Sequence, residues 1–369
     1  MSIFRMNLEP REKVKTAIEA FLSDEGRGTL SLAGTDAVYR LEQRFASLVD
    51  LPHALAVANA TLGLWAIFHA LEICEAEIIT TPYTWGGSLA GLLLAGNRPI
   101  FADIDSQTLT LDPLNVDRRI TRNTRAILTV DIYGYPSNGP ALRKVANDHG
   151  LLLIQDCAQS FGAYWDDHHT GWWADAAVFS FTWGKALFAG EGGMIVTRHR
   201  ELYDQLVWST QHPLRQSRDV PLRPPNELAL NLRLNPLAAV WAEATFEYAL
   251  AGVEKNRQKC LEIIQFLERG GMSRTKPPGE NSRPSFHALT FEPNRDPLEI
   301  ERGLHKKGWR FTVSLPPIVK PIYRQDVYVE FSRAHKWPRH ERCPMSEEQC
   351  RLRRKLFPIN SADQWRTSP

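Results

Sequence analysis

Apolar residues in this chain come in short blocks, and polar or helical stretches separate the blocks. Leu151-Leu152-Leu153-Ile154 is an unbroken apolar run, the pattern of a strand covered on both faces inside a parallel sheet. Ala54 to Ala58 reads as another buried strand, which gives way at Asn59 to a helix running to about Glu72. Ile78 to Thr81, Pro99 to Ile104 and Ala126 to Ile132 read as further strands. An apolar helix ending near Gly96 and a second helix over Pro140 to His149 lie among them. Strand and helix therefore alternate, which predicts a doubly wound, mostly parallel α/β sheet. Further on, Pro236 to Leu267 predicts one or two long helices. A strand over Ser285 to Phe291, a helix over Pro297 to Lys307 and a strand over Arg310 to Ser314 suggest a smaller α+β unit. The expected division is a large domain over 1–249, with an N-terminal helical segment, and a small one over 250–369.

Composition narrows the class without deciding it. A chain of 369 residues is long enough for two domains and a sizeable core. Its 43% hydrophobic content includes no run long enough to cross a bilayer, and Met1 to Asn7 has no signal-peptide core. A net charge of +2 argues against nucleic acid, and Arg351 to Lys355 reads as a solvated helix face. Cys74, Cys157, Cys260, Cys343 and Cys350 show no metal or redox spacing, so a reduced cytoplasm is expected. His168-His169 carries no metal-binding signature.

Four segments carry candidate chemistry. Phe179 to Lys185, followed by Gly190-Glu191-Gly192-Gly193, reads as a strand, a tight turn presenting Lys185, and a Gly-rich bend into a second strand. Burial and nearby positive charge would favour the neutral amine there, a nucleophile toward carbonyls. Asp156 stands at the carboxyl end of a buried strand, where open α/β sheets bind ligands. It suits either a cap on the next helix or a partner for a protonated pyridine nitrogen. Gln159, one short turn on, suits a donor to the ring's phenolic oxygen. Ala60 and Thr61 open a helix whose free N–H groups attract phosphate, with Ser180 as an added hydroxyl. Trp85, in Thr81-Pro82-Tyr83-Thr84-Trp85, is placed either to stack on a ring or to pack in a core.

Taken in order, these segments resemble the DegT/DnrJ/StrS sugar aminotransferases, within the fold-type-I pyridoxal-phosphate enzymes. The resemblance runs from about Gly34 to about Gln258. Ser180, Phe181, Lys185 and Gly190 to Gly193 match the Schiff-base lysine motif, and Asp156 with Gln159 matches Asp-x-Ala-Gln. Trp85 matches the stacking aromatic, and Asn231-Leu232-Arg233-Leu234 matches Asn-x-Arg-Met/Leu. The resemblance implies a pyridoxal 5′-phosphate cofactor and a homodimer in which Asn231 reaches the phosphate of the neighbouring subunit. It further implies transfer of nitrogen from glutamate or glutamine to a keto group on a sugar, nucleotide-linked sugar or cyclitol.

The chain also departs from the family. Asn59-Ala60-Thr61 stands where Ser-Gly-Thr is usual, and the added β-carbon would set the turn further from the phosphate. Val130-Asp131-Ile132-Tyr133-Gly134 replaces Val-His-Leu-Tyr/Phe-Gly. Thr312 to Pro317 and Cys343-Pro344-Met345 match the substrate-facing sequence only faintly. Dehydration, elimination or cyclisation on the same fold is the nearer alternative, although a dehydratase branch carries histidine where this chain has Lys185. A non-catalytic cofactor-binding regulator is the more distant one. Trp165, Trp172, Trp173, Trp183 and Trp208 suit either a carbohydrate pocket or the core. Arg215, Arg218 and Arg223 lie in a Pro-rich stretch that suits a solvated loop or a grip on a diphosphate or carboxylate.

Overall fold

The computed structural model describes residues 9–23, 30–105, 108–271, 279–291, 293–309 and 322. The strands are β1 (His53–Val57), β2 (Glu77–Thr80), β3 (Arg98–Phe101), β4 (Thr124–Val130), β5 (Leu152–Asp156), β6 (Tyr164–Trp165), β7 (His168–His169), β8 (Ala176–Ser180), β9 (Gly193–Thr197) and β10 (Ser282–Arg283). The helices are α1 (Glu9–Leu22), α2 (Leu30–Ala33), α3 (Ala37–Val49), α4 (Ala60–Ala70), α5 (Gly86–Leu94), α6 (Pro113–Asp117), α7 (Gly139–Asp148), α8 (Arg200–Thr210), α9 (Pro213–Asp219), α10 (Pro236–Arg269) and α11 (Pro297–Lys306).

A seven-stranded sheet in the order β1-β9-β8-β5-β4-β2-β3 forms the frame. Its β3, β2, β4, β5 and β8 are parallel, while β9 runs antiparallel to both β8 and β1. Successive side chains of a strand point to opposite faces, and here both faces are apolar. Ala56, Ile79, Ile127, Leu153 and Phe179 pack toward α3, α7 and α10. Their neighbours Leu55, Ile78, Leu128, Ile154 and Val178 pack toward α4, α5 and α8. The strands therefore read as apolar runs rather than alternating ones. The predicted doubly wound α/β architecture is present.

Helix α10 is a single 34-residue helix that passes through Leu250 without a break. The expected strand over Ser285 to Phe291 is absent. The paired residues nearby are Ser282 and Arg283, which join β6 in a small three-stranded sheet with β7. Backbone groups of 284–288 bond instead to α10 side chains and to the turn after β4. The expected strand over Arg310 to Ser314, the family-like segments beyond it and the basic run Arg351 to Lys355 lie outside the described residues. No helix among the described residues is long and apolar enough to cross a membrane.

The Pro-rich stretch also differs from expectation. Pro213 opens α9 at a position where proline's missing N–H costs nothing, with the His212 side chain as cap. Arg215 then points inward and is only 1% exposed. Its Nη1 and Nη2 each donate to Glu42 at 2.9 Å, and its Nε donates to Asp219 at 3.1 Å. Glu42 also accepts the Ala56 N–H at 2.8 Å, so one buried ion pair ties α9 and α3 to β1. Burial alone would lower the guanidinium's pKa, but the Glu42 charge reverses this and the pKa is raised. Breaking such a pair strands a buried carboxylate. Arg215→Ala should cost about 3–5 kcal/mol, seen as a lower urea midpoint.

Candidate active site

Because β2, β4, β5 and β8 are parallel, their carboxyl ends share one edge of the sheet. Two antiparallel steps, β8 to β9 and β9 to β1, bring the end of β1 to the same edge, where Val57 and Ser180 both pair with Gly193. The segments that leave this edge enclose a cavity of about 420 Å³. Asn59 to Thr61 enters it after β1, and Thr84, Trp85 and Ser88 after β2. Val130 and Tyr133 come from β4, Asp156 and Gln159 from β5, and Ser180, Trp183 and Lys185 from β8. Lys185, Asp156, Gln159, Trp85, Ser180, Ala60 and Thr61 all line this one space.

Lys185 sits on a turn closed by its own N–H donating to Thr182 O at 3.2 Å. Phe181 N–H donates to Gly192 O at 2.9 Å and Ala189 N–H to Phe181 O at 3.0 Å, so the returning chain holds both ends. Burial lowers the pKa of Lys185. The expected assistance from positive charge is not present, since the neighbouring charge is that of Asp156, which opposes the shift.

Asp156 is 6% exposed. Ser88 Oγ donates to its Oδ2 at 2.6 Å and Ala158 N–H to its Oδ1 at 2.9 Å. Ser88 is in turn 2.6 Å from the Thr84 hydroxyl. Burial raises the pKa of Asp156 against these bonds and against Lys185, and Asp131 adds to the rise. A carboxylate with raised proton affinity is a fitting partner for a protonated ring nitrogen. The two candidate roles of Asp156 thus coincide in part: it closes the turn after β5 while its outer face borders the cavity.

The far end of the cavity is the start of α4. Asn59 caps the helix, its side chain accepting Leu62 N–H at 2.9 Å. The N–H groups that such a cap leaves free carry the positive end of the helix. Gly193 presses on this turn: a β-carbon there would lie 2.8 Å from Ala60 N and 2.8 Å from Phe179 O. Ser180 Oγ, with Thr182 Oγ1 at 3.3 Å, adds a hydroxyl.

Gln159 Oε1 accepts Tyr133 N–H at 2.7 Å, which fixes the amide and leaves its NH₂ as the donor end. Trp85 is 67% exposed and Trp183 80% exposed, each at the cavity wall. Trp183 packs edge-on against Phe188, which packs against Trp241. The remaining tryptophans named above lie elsewhere: Trp172 stacks on His168, and Trp208 takes Arg223 over its ring at 4.4 Å. Asn231 is exposed and is not among the lining residues of its own chain's cavity. Ser88 and His287 line the site without having been marked in the sequence, and Tyr133 of the Val130–Gly134 segment joins them. No cluster of histidine, cysteine or acidic residues suited to a metal occurs among the described residues.

Comparison with known proteins bears directly on this geometry. The sequence matches the DegT/DnrJ/EryC1/StrS aminotransferase family over residues 13–350. The chain belongs to that family. It is therefore a pyridoxal-phosphate-dependent aminotransferase. Among relatives, it is 29% identical over 325 residues to a pleiotropic regulatory protein of Geobacillus stearothermophilus, covering 87% of this chain and 84% of the relative. It is 29% identical over 317 residues to UDP-N-acetyl-3-dehydro-α-D-glucosamine 3-aminotransferase of Acidithiobacillus ferrooxidans, covering 83% and 79%. Among solved structures, DesV of S. venezuelae, determined with a ketimine intermediate, superposes with a TM-score of 0.74 at 25% identity, over 94% of this chain and 87% of that one.

The residues present fit the cofactor. A partly buried lysine, a buried carboxylate and a helix N-terminus border one cavity, and Gly193 lets β9 pack directly on the turn that opens that helix. Gly193→Ala forces a β-carbon against backbone and should weaken cofactor retention about tenfold. Dialysis followed by cofactor absorbance measures this, with circular dichroism checking that the fold survives.

Proposed function

We propose that this aminotransferase moves an amino group from glutamate or glutamine to a keto group on a sugar, nucleotide-linked sugar or cyclitol. The observation that carries this reading is the meeting of Lys185, Asp156 and the α4 N-terminus at one sheet edge. When bound, the cofactor supplies an electron sink for the carbanion formed at the donor's α-carbon. Asp156 holds a proton at the ring nitrogen, and the Gln159 NH₂ donates to the phenolic oxygen. Trp85, at the cavity wall, would cover the ring and keep water off it. Backbone N–H groups of Ala60 and Thr61, with the Thr61 and Ser180 hydroxyls, hold the phosphate. Lys185 Nζ, its proton affinity lowered by burial, takes the proton from the donor's α-carbon and later returns one to the acceptor's carbon.

Two observations support a sugar-like acceptor. One relative of similar length acts, by its name, on a nucleotide-linked keto sugar. Trp85 and Trp183 offer broad exposed aromatic faces at the cavity, suited to the C–H face of a ring. The regulatory name of another relative is the observation on the other side. Adding glutamate or glutamine separates the two readings: conversion of the lysine-bound absorbance band to that of the aminated cofactor supports transfer, and silence toward every amine favours regulation. Borohydride should fix the cofactor to Lys185, and Lys185→Ala should lose the band and nearly all turnover. Asp156→Asn keeps size but not charge, so turnover should fall about a hundredfold or more while the cofactor stays bound.

The active unit in this reading is a homodimer with sites shared between chains, in the cytoplasm. No lining residue among those described is an arginine, and Asn231 lies outside its own cavity. Leu222 and Leu228, on the same stretch as Asn231, are 98% and 92% exposed. A two-fold interface over this stretch would cover them and carry each Asn231 to the other subunit's phosphate. Domain division at 250 places the carboxyl half of α10 in the smaller domain. Mixing Lys185→Ala chains with Asn231→Ala chains tests the sharing. A shared site gives mixed dimers one complete site and restored activity, whereas an Asn231 that serves its own chain gives none.

A further inference from the structure

Residues 284–288 form an irregular bracket held from two sides. From α10, Arg257 Nε donates to Pro284 O at 2.8 Å, and Asn256 Nδ2 donates to Ser285 O at 3.3 Å and Phe286 O at 3.0 Å. From the turn after β4, Gly134 O accepts Ser285 N–H at 2.9 Å and Tyr133 O accepts Ala288 N–H at 3.2 Å. Ser285 Oγ donates to Gln159 O at 3.1 Å. The contact is close enough that a β-carbon on Gly134 would sit 2.4 Å from Ser285 Oγ and 2.7 Å from His287 N.

Inside this bracket Phe286 has φ 50° and Tyr133 has φ 57°. A left-handed backbone at an aromatic residue is unfavourable and persists only where the surroundings enforce it. Here the Phe286 ring is buried against Tyr135, with centroids 5.5 Å apart. The outcome of the bracket is that His287 and Ala288 line the cavity beside Lys185 and Gln159. Strain of this kind, stored at a cavity wall, points to use of the side chain it presents.

We infer that His287 is the residue that receives the carboxylate of the amino donor, through an N–H of its imidazole. The assignment rests on the aminotransferase reading above. A donor's α-carboxylate is attached to the carbon whose proton Lys185 takes, so it must lie within reach of that lysine. Asp156 would repel it, and the α4 N-terminus is committed to the phosphate. His287 shares the wall with Lys185 and carries no opposing charge: burial lowers its pKa to about 4, and the Lys185 charge adds to the fall. A neutral imidazole at this wall still offers an N–H, and a carboxylate entering beside the lysine can accept it.

The test uses the holoenzyme and maleate, an unreactive dicarboxylate, titrated calorimetrically. Loss of a hydrogen bond to a charged group should weaken maleate about tenfold in His287→Phe. His287→Asn, too short to reach, should behave alike and carries the test if the Phe variant does not fold. His287→Gln, which keeps an N–H at similar reach, should recover most of the affinity. In steady state the KM for glutamate should rise while kcat and the acceptor's KM stay near wild type. The half-reaction with isopropylamine, which has no carboxylate, should be unaffected. Unchanged maleate affinity in a variant, or a changed acceptor KM with an unchanged donor KM, overturns the assignment and leaves the aminotransferase reading standing. A wild-type protein that responds to neither glutamate nor glutamine overturns that reading, and the role of His287 with it.

Discussion

The site depends on keeping a carboxylate and an amine out of water at one sheet edge without letting them neutralise each other by direct contact. Burying an unpaired carboxylate is costly unless hydrogen bonds replace its water. For Asp156 those bonds come from Ser88 and Ala158 rather than from Lys185. The arrangement leaves the ammonium unsupported by a bonded partner, so burial lowers its pKa even though Asp156 is near enough to oppose the shift. A closer salt bridge would have held the proton on Lys185 and removed the nucleophile that the proposed reaction needs. Everything along the edge serves this separation. Helix α5 brings Ser88 to one side, and the turns after β5 and β8 set the spacing on the other.

Beneath that edge lies a second buried carboxylate. Asp131 stands where the family usually has histidine, and it faces the side of the sheet away from the cavity. It accepts from Ser137 N–H at 2.9 Å, Ser137 Oγ at 2.7 Å, Gln155 Nε2 at 3.0 Å and Ser160 Oγ at 2.7 Å, and from the Thr170 hydroxyl. All these donors are neutral, and the proximity of Asp131 adds to the rise in the proton affinity of Asp156. Ser160 follows Gln159, and Ser137 follows the Tyr133 turn. One buried anion thus ties together the two turns that carry Gln159 and the bracket of His287. The departure from the family at 131 is accommodated by its neighbours, and it reaches the chemistry only through position and field.

Much of this was legible in the sequence, for identifiable reasons. Strands such as Leu152–Asp156 are buried on both faces, so their apolar runs announce them, and parallel order puts their terminal polar residues at one edge. Lys185, Asp156, Gln159, Trp85 and the Asn59-Ala60-Thr61 turn were found that way. What was missed depends on long-range contact. His287 lies on a segment whose apolar and β-prone residues suggested a strand, but side chains of Asn256 and Arg257 capture its carbonyls instead. Arg215 sits among prolines and charges that resemble a surface loop. Its burial follows from Glu42, 173 positions away, which no local pattern reveals. Phe286 at positive φ is a further case, since no residue preference would place an aromatic there.

The substitution of Ala60 for the usual glycine in the proposed phosphate turn shows how a local rule can yield to context. The expectation was that a β-carbon would hold the backbone away from the phosphate. Ala60, however, is the first residue of α4, where backbone angles are those of a right-handed helix and glycine's extra freedom brings no benefit. It belongs to the apolar cluster beneath α4, with Val57 and Leu64. The close backbone approach at this turn is to the facing strand, where a β-carbon on Gly193 would lie 2.8 Å from Ala60 N. The need for a bare backbone has not disappeared from this turn. It lies on the strand that crosses the turn, while alanine adds helix propensity and buried area on the helix side.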